Sequence, residues 1–362
     1  MTAGRIVIAG ASGFVGGAAV KRFAEQGWAV TGISRRSPDE PIPGVDHVAL
    51  DLLDADACAA ALAPYGDATH LLYAAVNETP GGLVAGWSDE NHIARNAAMF
   101  EHLLDTMVRV APRLQHVGIV HGTKAYGKGV HRHRVIPFRE SLPRPASDDF
   151  YFHQEDHIWK RAAETGIGWT VYRAPLIVGG GQGSNLNALL AISVLACLCR
   201  EAGEPLAYPG ATDDALVTEM VDVSLLARAL EWGATDPAAR NQTFNVANGD
   251  AFIWPDLWKT IAAAIGVPAG DALDYSIVDA VRDRSSIWAD LVRRQALPLP
   301  EDPIVYLGES CALADYAVNM RGRASLTSTI KIRQAGFGDC MDSADTIANW
   351  IAHWRSRNML PA

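Results

Sequence analysis

The chain has 362 residues, 49% of them hydrophobic, and a formal net charge of −10. That length accommodates one large domain or a domain with an added lobe, and the acidic balance argues against nucleic acid or an anionic membrane as partner. No apolar run reaches the roughly 18 residues that a membrane-spanning helix needs.

Met1-Thr2-Ala3-Gly4-Arg5 leads directly into the first apolar run, so no leader peptide is expected. The five cysteines form an odd set without framework spacing, which suits a reducing compartment and makes the cytoplasm the expected location. Cys197 and Cys199 are read as core residues, not as metal ligands, and no metal is expected.

In chain order, strands are expected at 5–9, 28–33, 46–50, 69–75 and 116–121, and helices at 14–26, 55–63 and 90–110. Short β-branched runs alternating with amphipathic segments predict a doubly wound parallel sheet. The first strand, Arg5-Ile6-Val7-Ile8-Ala9, runs into Gly10-Ala11-Ser12-Gly13-Phe14-Val15-Gly16. Gly10 allows a tight turn, Gly13 a close approach to phosphate, and Gly16 the packing of the new helix on the sheet. That helix presents its free N–H groups to a pyrophosphate. The glycine spacing resembles that of extended short-chain dehydrogenases/reductases. Segment 127–148 is polar and proline-bearing and is expected to be a loop. A helix at 150–165, a strand at 168–173, the glycine cluster 179–183 and a helix at 186–201 follow. Helical stretches at 222–232 and 255–265, a short strand at 244–246 and a terminal helix from Ser343 to Trp354 complete the reading.

The end of the second strand selects the dinucleotide. An acidic residue there would bind a ribose 2′-hydroxyl and repel a 2′-phosphate. This chain carries Ser34-Arg35-Arg36, a hydroxyl and two guanidiniums suited to a phosphate dianion, so NADPH/NADP is the expected cofactor. Asp51 and Leu52 close the third strand, where the adenine would lie, and Ala74 and Ala75 close the fourth. The small alanines let a cofactor lie against the backbone.

A conventional short-chain reductase carries Tyr-x-x-x-Lys on one helix, where residues four apart share a face. No tyrosine of this chain has lysine four residues later; after Tyr151 that position is Glu155. Either the chain is not such an enzyme or its lysine comes from elsewhere. The candidate is Lys124, in Gly122-Thr123-Lys124-Ala125-Tyr126 at the end of the fifth strand. That stretch resembles the Gly-x-Lys-x-Tyr motif of the progesterone 5β-reductase/iridoid synthase family. Phe150-Tyr151-Phe152-His153-Gln154-Glu155-Asp156 is similar to its Phe-Tyr-Tyr-x-x-Glu-Asp motif. Ser34-Arg35-Arg36, Phe244 to Asp250, Trp254 to Lys259 and Gly336 to Trp350 also resemble family segments, so the likeness spans nearly the whole chain.

The resemblance implies hydride transfer from NADPH to the β-carbon of an activated C=C bond. Tyr151 would donate a hydrogen bond to the substrate carbonyl oxygen, and Lys124 would be its electrostatic partner. Both would also lie against the cofactor. The negative charge of the developing enolate would then meet a phenol donor beside a cation. The superfamily places backbone after the sixth strand against the nicotinamide, which makes Pro175 and Ile177 cofactor candidates. Phe152 stands where the family has a second tyrosine. Tyr126 is expected to be a wall of the cleft, and Glu155 to be structural or to orient Lys124. His121, His131, His133, His153 and His157 cluster in sequence around the cleft. Helix 186–201 and the stretch around Tyr306 and Tyr316 are apolar enough to line a greasy pocket.

The expected architecture is therefore α/β. A Rossmann-type sheet domain spans 1–180 and is continued by parts of 215–250; a smaller substrate lobe is drawn mainly from 181–362. The expected partner is a small apolar enone, and a homodimer is left open. A sugar-nucleotide epimerase or dehydratase using NAD would need the Tyr-x-x-x-Lys helix that is missing. A non-catalytic NADP sensor would not need Lys124 and Tyr151.

Overall fold

Strands apolar on both faces must be covered on both sides, and the chain meets this demand by threading helices between them. The computed structural model describes residues 4–37, 41–78, 86–87, 89–128, 131–181, 186–210, 215–319 and 324–362. Parts of the expected loop 127–148 (129–130) and of the glycine cluster (182–183) lie outside the described residues.

The strands are β1 (Arg5–Ala9), β2 (Ala29–Ser34), β3 (Asp46–Ala49), β4 (His70–Tyr73), β5 (His116–Gly122), β6 (Gly168–Ala174), β7 (Leu176–Val178), β8 (Val217–Thr218), β9 (Met220–Asp222), β10 (Gln242–Asn245) and β11 (Phe252–Ile253). The first helices are α1 (Phe14–Glu25), α2 (Ala55–Leu62), α3 (Glu90–Val110), α4 (Phe150–Thr165), α5 (Ala188–Ala202) and α6 (Val223–Thr235). They are followed by α7 (Trp254–Ile265), α8 (Ile277–Asp283), α9 (Ser285–Arg294), α10 (Pro303–Leu307), α11 (Ser310–Val318), α12 (Ile330–Gln334) and α13 (Ser343–Ser356). Seven strands form one parallel sheet in the order β10-β6-β5-β4-β1-β2-β3. That reversal of order beside β1 is the doubly wound pattern, with its ligand crevice at the strand C-termini.

The chain divides into two compact units. The first comprises Met1–Pro175, Val223–Ala247 and Thr327–Asp339, and the second Leu176–Asp222, Asn248–Leu326 and Cys340–Ala362. In the first, Val7, Ala9, Ile33, Leu71, Val117 and Ile119 of the sheet bury against Phe100, Leu103 and Met107 of α3 and Ile158 of α4. In the second, α5 is apolar around its whole circumference and buried throughout Ala188–Cys199. Trp258, Trp288 and Trp354 pack into the same cluster. A helix apolar all round belongs at the middle of a core. The stretch that reads as a pocket wall is thus the central core element of this unit. Tyr306 likewise stacks on Trp288 (centroids 5.5 Å apart) and donates to the Met359 carbonyl. Among the described residues no helix is long and apolar enough to cross a membrane.

At the other end of the sheet two buried histidines face each other, with ring centroids of His70 and His116 6.0 Å apart. The Thr170 hydroxyl donates to the Ala239 carbonyl, so His116 Nε2 must donate to Thr170 Oγ1 at 2.9 Å. Burial pushes the His116 imidazole down to about 3, with His70 and Arg240 adding to the effect, and lowers His70 as well. The unfolded chain takes up a proton on His116 below pH 6.5 while the folded one refuses it, so stability falls with pH from 6.5 towards 3, by about 1.4 kcal/mol per pH unit well inside that window; His70 acts in the same direction. Urea unfolding of His116→Gln is therefore expected to lose less stability between pH 6 and 4.5 than the natural chain does. Equal slopes would rule out the pair as an acid-sensitive element.

Candidate functional site

The site starts where β1 ends. Gly10 has φ +84°, and both its N–H and that of Ala11 donate to the Ile33 carbonyl, at 2.9 and 3.0 Å. A Cβ on Gly10 would stand 2.7 Å from the Ala74 oxygen, and one on Gly16 would stand 2.1 Å from the Gly10 oxygen. The turn, the first turn of α1 and the end of β4 are therefore packed backbone to backbone. Helix α1 begins at the N-cap Gly13, with no side chain capping it. Its first-turn N–H groups, with Ser12, Phe14 and Val15 around them only half-buried, are available to an anion. Ala74 and Ala75 line the adjacent strand end, also half-buried.

At the end of β2 the Ser34 hydroxyl donates to the Arg36 carbonyl at 2.5 Å and so must accept from His47 Nε2 at 3.0 Å. This clamps the turn and holds Arg35 and Arg36 in solvent, where among the described residues neither makes an ion pair. Asp51 is exposed and its Oδ1 accepts from the Leu53 N–H, while Leu52 is buried and its carbonyl is bound to His102. Pro175 directly follows β6, and Ile177 pairs with Val221 in the second unit.

Lys124 and Tyr151 come together from different elements. Lys124 sits on the short helical turn Thr123–Tyr126 after β5, and Tyr151 lies in the first turn of α4, whose N-cap Asp149 accepts from the Tyr151 N–H. The Lys124 ammonium lies 4.7, 5.0 and 5.2 Å from the ring centroids of Trp87, Phe150 and Tyr151. Three ring faces around one cation attract it electrostatically. The bare Gly122 lets the phenol come close, since a Cβ there would be 3.1 Å from Tyr151 Oη. Burial first, and then the Asp149 carboxylate, push the Tyr151 phenol above its usual range, against a backbone hydrogen bond with Gly122. Lys124 is lowered by burial, partly offset by Asp149 and Glu78. The phenol thus stays protonated, and the ammonium meets its ring face.

Behind this pair lies a buried polar cluster. Glu155 is 1% exposed and binds Arg173 at 2.8 Å and Arg144 at 3.1 Å. Burial alone would raise its carboxyl, but His121 and Arg173 outweigh burial and hold it at about 2. Glu155 therefore serves Arg173 and Arg144, and orienting Lys124 is not its task. Tyr126 is no wall either. It is buried, donates to Asn245 Oδ1 at 2.6 Å, and stacks on Phe138 with Arg173 over its ring. Phe152 packs under the Arg144 guanidinium, so the first tyrosine position of the motif, not the second, stands by Lys124.

The sequence cluster of histidines disperses. His133 bonds Pro143, His153 Asp148 and His157 Asp105, while His121 stacks on Tyr151. Among the described residues no group of three or more His, Cys, Asp or Glu is arranged to hold a metal. Trp87 and Asp149 escaped the sequence reading. Asp149 could have been found as the acidic residue just before an apolar helix start; Trp87 carries no local signal.

The sequence model of the NAD dependent epimerase/dehydratase family matches residues 6–247. An (S)-8-oxocitronellyl enol synthase of Nepeta cataria is 31% identical over 289 residues, 75% of this chain and 70% of that one. The 3-oxo-Delta(4,5)-steroid 5-beta-reductase of Arabidopsis thaliana is 28% identical over 351 residues, 92% of this chain and 86% of that one. Among solved structures, the UDP-glucose 4-epimerase of Thermus thermophilus in complex with NAD superposes with a TM-score of 0.66. It covers 97% of this chain and 99% of its own at 16% identity, a likeness of fold. The glycine cradle, the lysine displaced to a strand end and these relatives converge: the chain belongs to the NAD-dependent epimerase/dehydratase family, with its nicotinamide cofactor, and within it to the progesterone 5β-reductase/iridoid synthase-like extended short-chain dehydrogenases/reductases.

Proposed function

We propose that this protein reduces the activated C=C bond of small apolar enones or enals with NADPH, in the cytoplasm, with Tyr151 and Lys124 at the reacting centre. The observation that carries the reading is a phenol kept protonated by burial, standing beside bare Gly122, with an ammonium over its ring. The relatives named as an enol synthase and a steroid 5-beta-reductase favour the same chemistry.

The cradle fits a dinucleotide. No Cβ could be added at Gly10 or Gly16 without collision, and the α1 N-terminus carries no side-chain cap. Gly10, Ser12, Gly13, Phe14, Val15 and Gly16 would hold the pyrophosphate, Asp51 and Leu52 the adenine end, and Ala74, Ala75 and Pro175 the remainder. Arg35 and Arg36, on the turn fixed by Ser34, would hold a 2′-phosphate by charge-assisted forked contacts. When bound, the nicotinamide supplies the hydride that the β-carbon receives. Negative charge then develops on the substrate carbonyl oxygen, and the Tyr151 hydroxyl donates to it. A donor already in place costs no reorganisation as the charge forms. Lys124, faced by Trp87 and Phe150, adds positive potential in a partly desolvated site, where it acts more strongly than in water. The α-carbon takes its proton from water, so no second protein acid is needed.

Tyr151→Phe is expected to lower kcat for NADPH-dependent reduction of 2-cyclohexenone or a Δ4-3-ketosteroid by roughly 10²–10³, as loss of one oxyanion donor does. A normal rate on every accepted enone would remove Tyr151 from the reaction. Arg35→Ala and Arg36→Ala should each weaken NADPH binding at least roughly tenfold more than NADH binding, because each removes a charge-assisted hydrogen bond to the 2′-phosphate. Equal weakening, read by fluorescence titration, would speak for NAD. The pH profile separates the two side chains. The phenol lies above its ordinary 10.0 and the ammonium below its ordinary 10.5. The alkaline fall of kcat therefore belongs to Lys124, and in an active Lys124→Arg protein it should move to higher pH.

A further inference from the structure

We infer that His121 is a positioning residue for Tyr151, a reading that rests on the role proposed for that phenol. The two rings are stacked, with centroids 4.1 Å apart and planes 19° from parallel, and the imidazole is 2% exposed. What sets this contact apart from ordinary core packing is how the imidazole is held at its edges. Gln154 Nε2 donates to the Asn96 carbonyl at 3.0 Å, which turns Gln154 Oε1 towards His121. The proton between them at 3.0 Å therefore belongs to His121 Nε2. The opposite edge, Nδ1, faces Glu155 Oε1 at 3.7 Å, and that carboxylate is pinned by Arg173 and Arg144.

The imidazole is therefore anchored at one edge: Nε2 is bonded to Gln154, which is tied to α3, while Nδ1 makes no hydrogen bond among the described residues and faces a carboxylate fixed by β6 and the loop before α4. Its face is a stationary plate under the phenol, while Asp149 holds the Tyr151 backbone at the helix start. A ring lying flat on that plate cannot swing about its Cα–Cβ bond towards it, which keeps the hydroxyl beside Gly122. Donors held in productive geometry by groups that are themselves locked are what precise catalysis needs. An apolar ring could serve as the plate, but it would leave the buried Gln154 oxygen without its donor.

Two variants separate positioning from bulk stability. His121→Ala removes the plate, and kcat for enone reduction should fall roughly tenfold while KM for NADPH and enone stays within about twofold. His121→Phe keeps the plate and should recover kcat to within about threefold of the natural protein, although its Tm falls because Gln154 is left unpaired. A role in stability alone predicts that turnover per folded molecule is unchanged in both. Turnover of His121→Ala equal to that of the natural chain, or of His121→Phe as low as that of His121→Ala, would overturn the inference.

A readout independent of turnover comes from ¹³C-tyrosine-labelled protein, with the Tyr151 signal assigned by its loss in Tyr151→Phe. That signal should be single and sharp in the natural chain and in His121→Phe, and broadened or split in His121→Ala. A sharp, unmoved signal in His121→Ala overturns the positioning role whatever the activity. If the natural protein reduces no enone yet shows this pattern, the reductase reading fails and the positioning of Tyr151 stands.

Discussion

One buried carboxylate organises the site. Glu155 joins α4 to β6 through Arg173, to the preceding loop through Arg144, and sits at the edge of His121 on β5. A carboxylate out of water is costly unless paired and hydrogen-bonded, and removing one partner of such a pair typically destabilises by about 3–5 kcal/mol. The expense of leaving Arg173 or Glu155 alone therefore keeps three elements in one arrangement. Arg173 extends the constraint by lying over Tyr126, whose hydroxyl is bound to Asn245 at the end of β10. Asn245 in turn donates to the carbonyls of Phe138 and Ser328. The loop after β5, the edge strand and the segment before α12 are tied together by side-chain hydrogen bonds wherever the sheet itself gives out.

One further carboxylate acts on Lys124 and Tyr151 together. Asp149 caps the N-terminus of α4, where a carboxylate is favoured by the helix dipole, and pairs with Lys128 at 3.2 Å. It raises the Tyr151 phenol and at the same time supports the charge on Lys124. One cap thus favours both the protonated phenol and the protonated amine. Lys128 also donates to the Trp87 carbonyl, which connects the cap to the ring nearest the Lys124 ammonium.

The elements of the first unit were legible because each has a single period and clean ends. β1 is an uninterrupted β-branched run ending in Gly10, and α4 begins after Asp149 and ends at Gly166 in a left-handed cap. The helices between 277 and 318 carried no such signal. They are short; Ser276 and Asp302 cap two of them, and the helices beginning at Ser285 and Ser310 have no side-chain cap at all. Helix α5 was located, with Cys197 and Cys199 read as core, but whether its remaining faces lined a pocket was not legible, because an apolar run is the same in a pocket wall and in a core until its neighbours are known. In the site, motif spacing brought out Lys124 and Tyr151. It could not show that Glu155 turns to Arg173, that Tyr126 is sealed under Phe138, or that Trp87 reaches Lys124, since these are contacts between different elements that no local spacing records.

The replacement of lysine by glutamate four residues after the tyrosine has a physical consequence that goes beyond relocating a charge. On a helix, positions i and i+4 share a face, so a lysine there would approach the phenol from its own helix and favour loss of its proton. Here that position points into the buried arginine pair, and the cation arrives from the end of β5 over the ring face. Burial dominates the titration of the phenol, and the Asp149 carboxylate adds to the rise. A phenol arranged in this way is poorly suited to shuttle protons between a hydroxyl and a carbonyl, which requires it to ionise readily. In the proposed reaction it would hold its proton and lend it as a hydrogen bond while charge gathers on an oxygen.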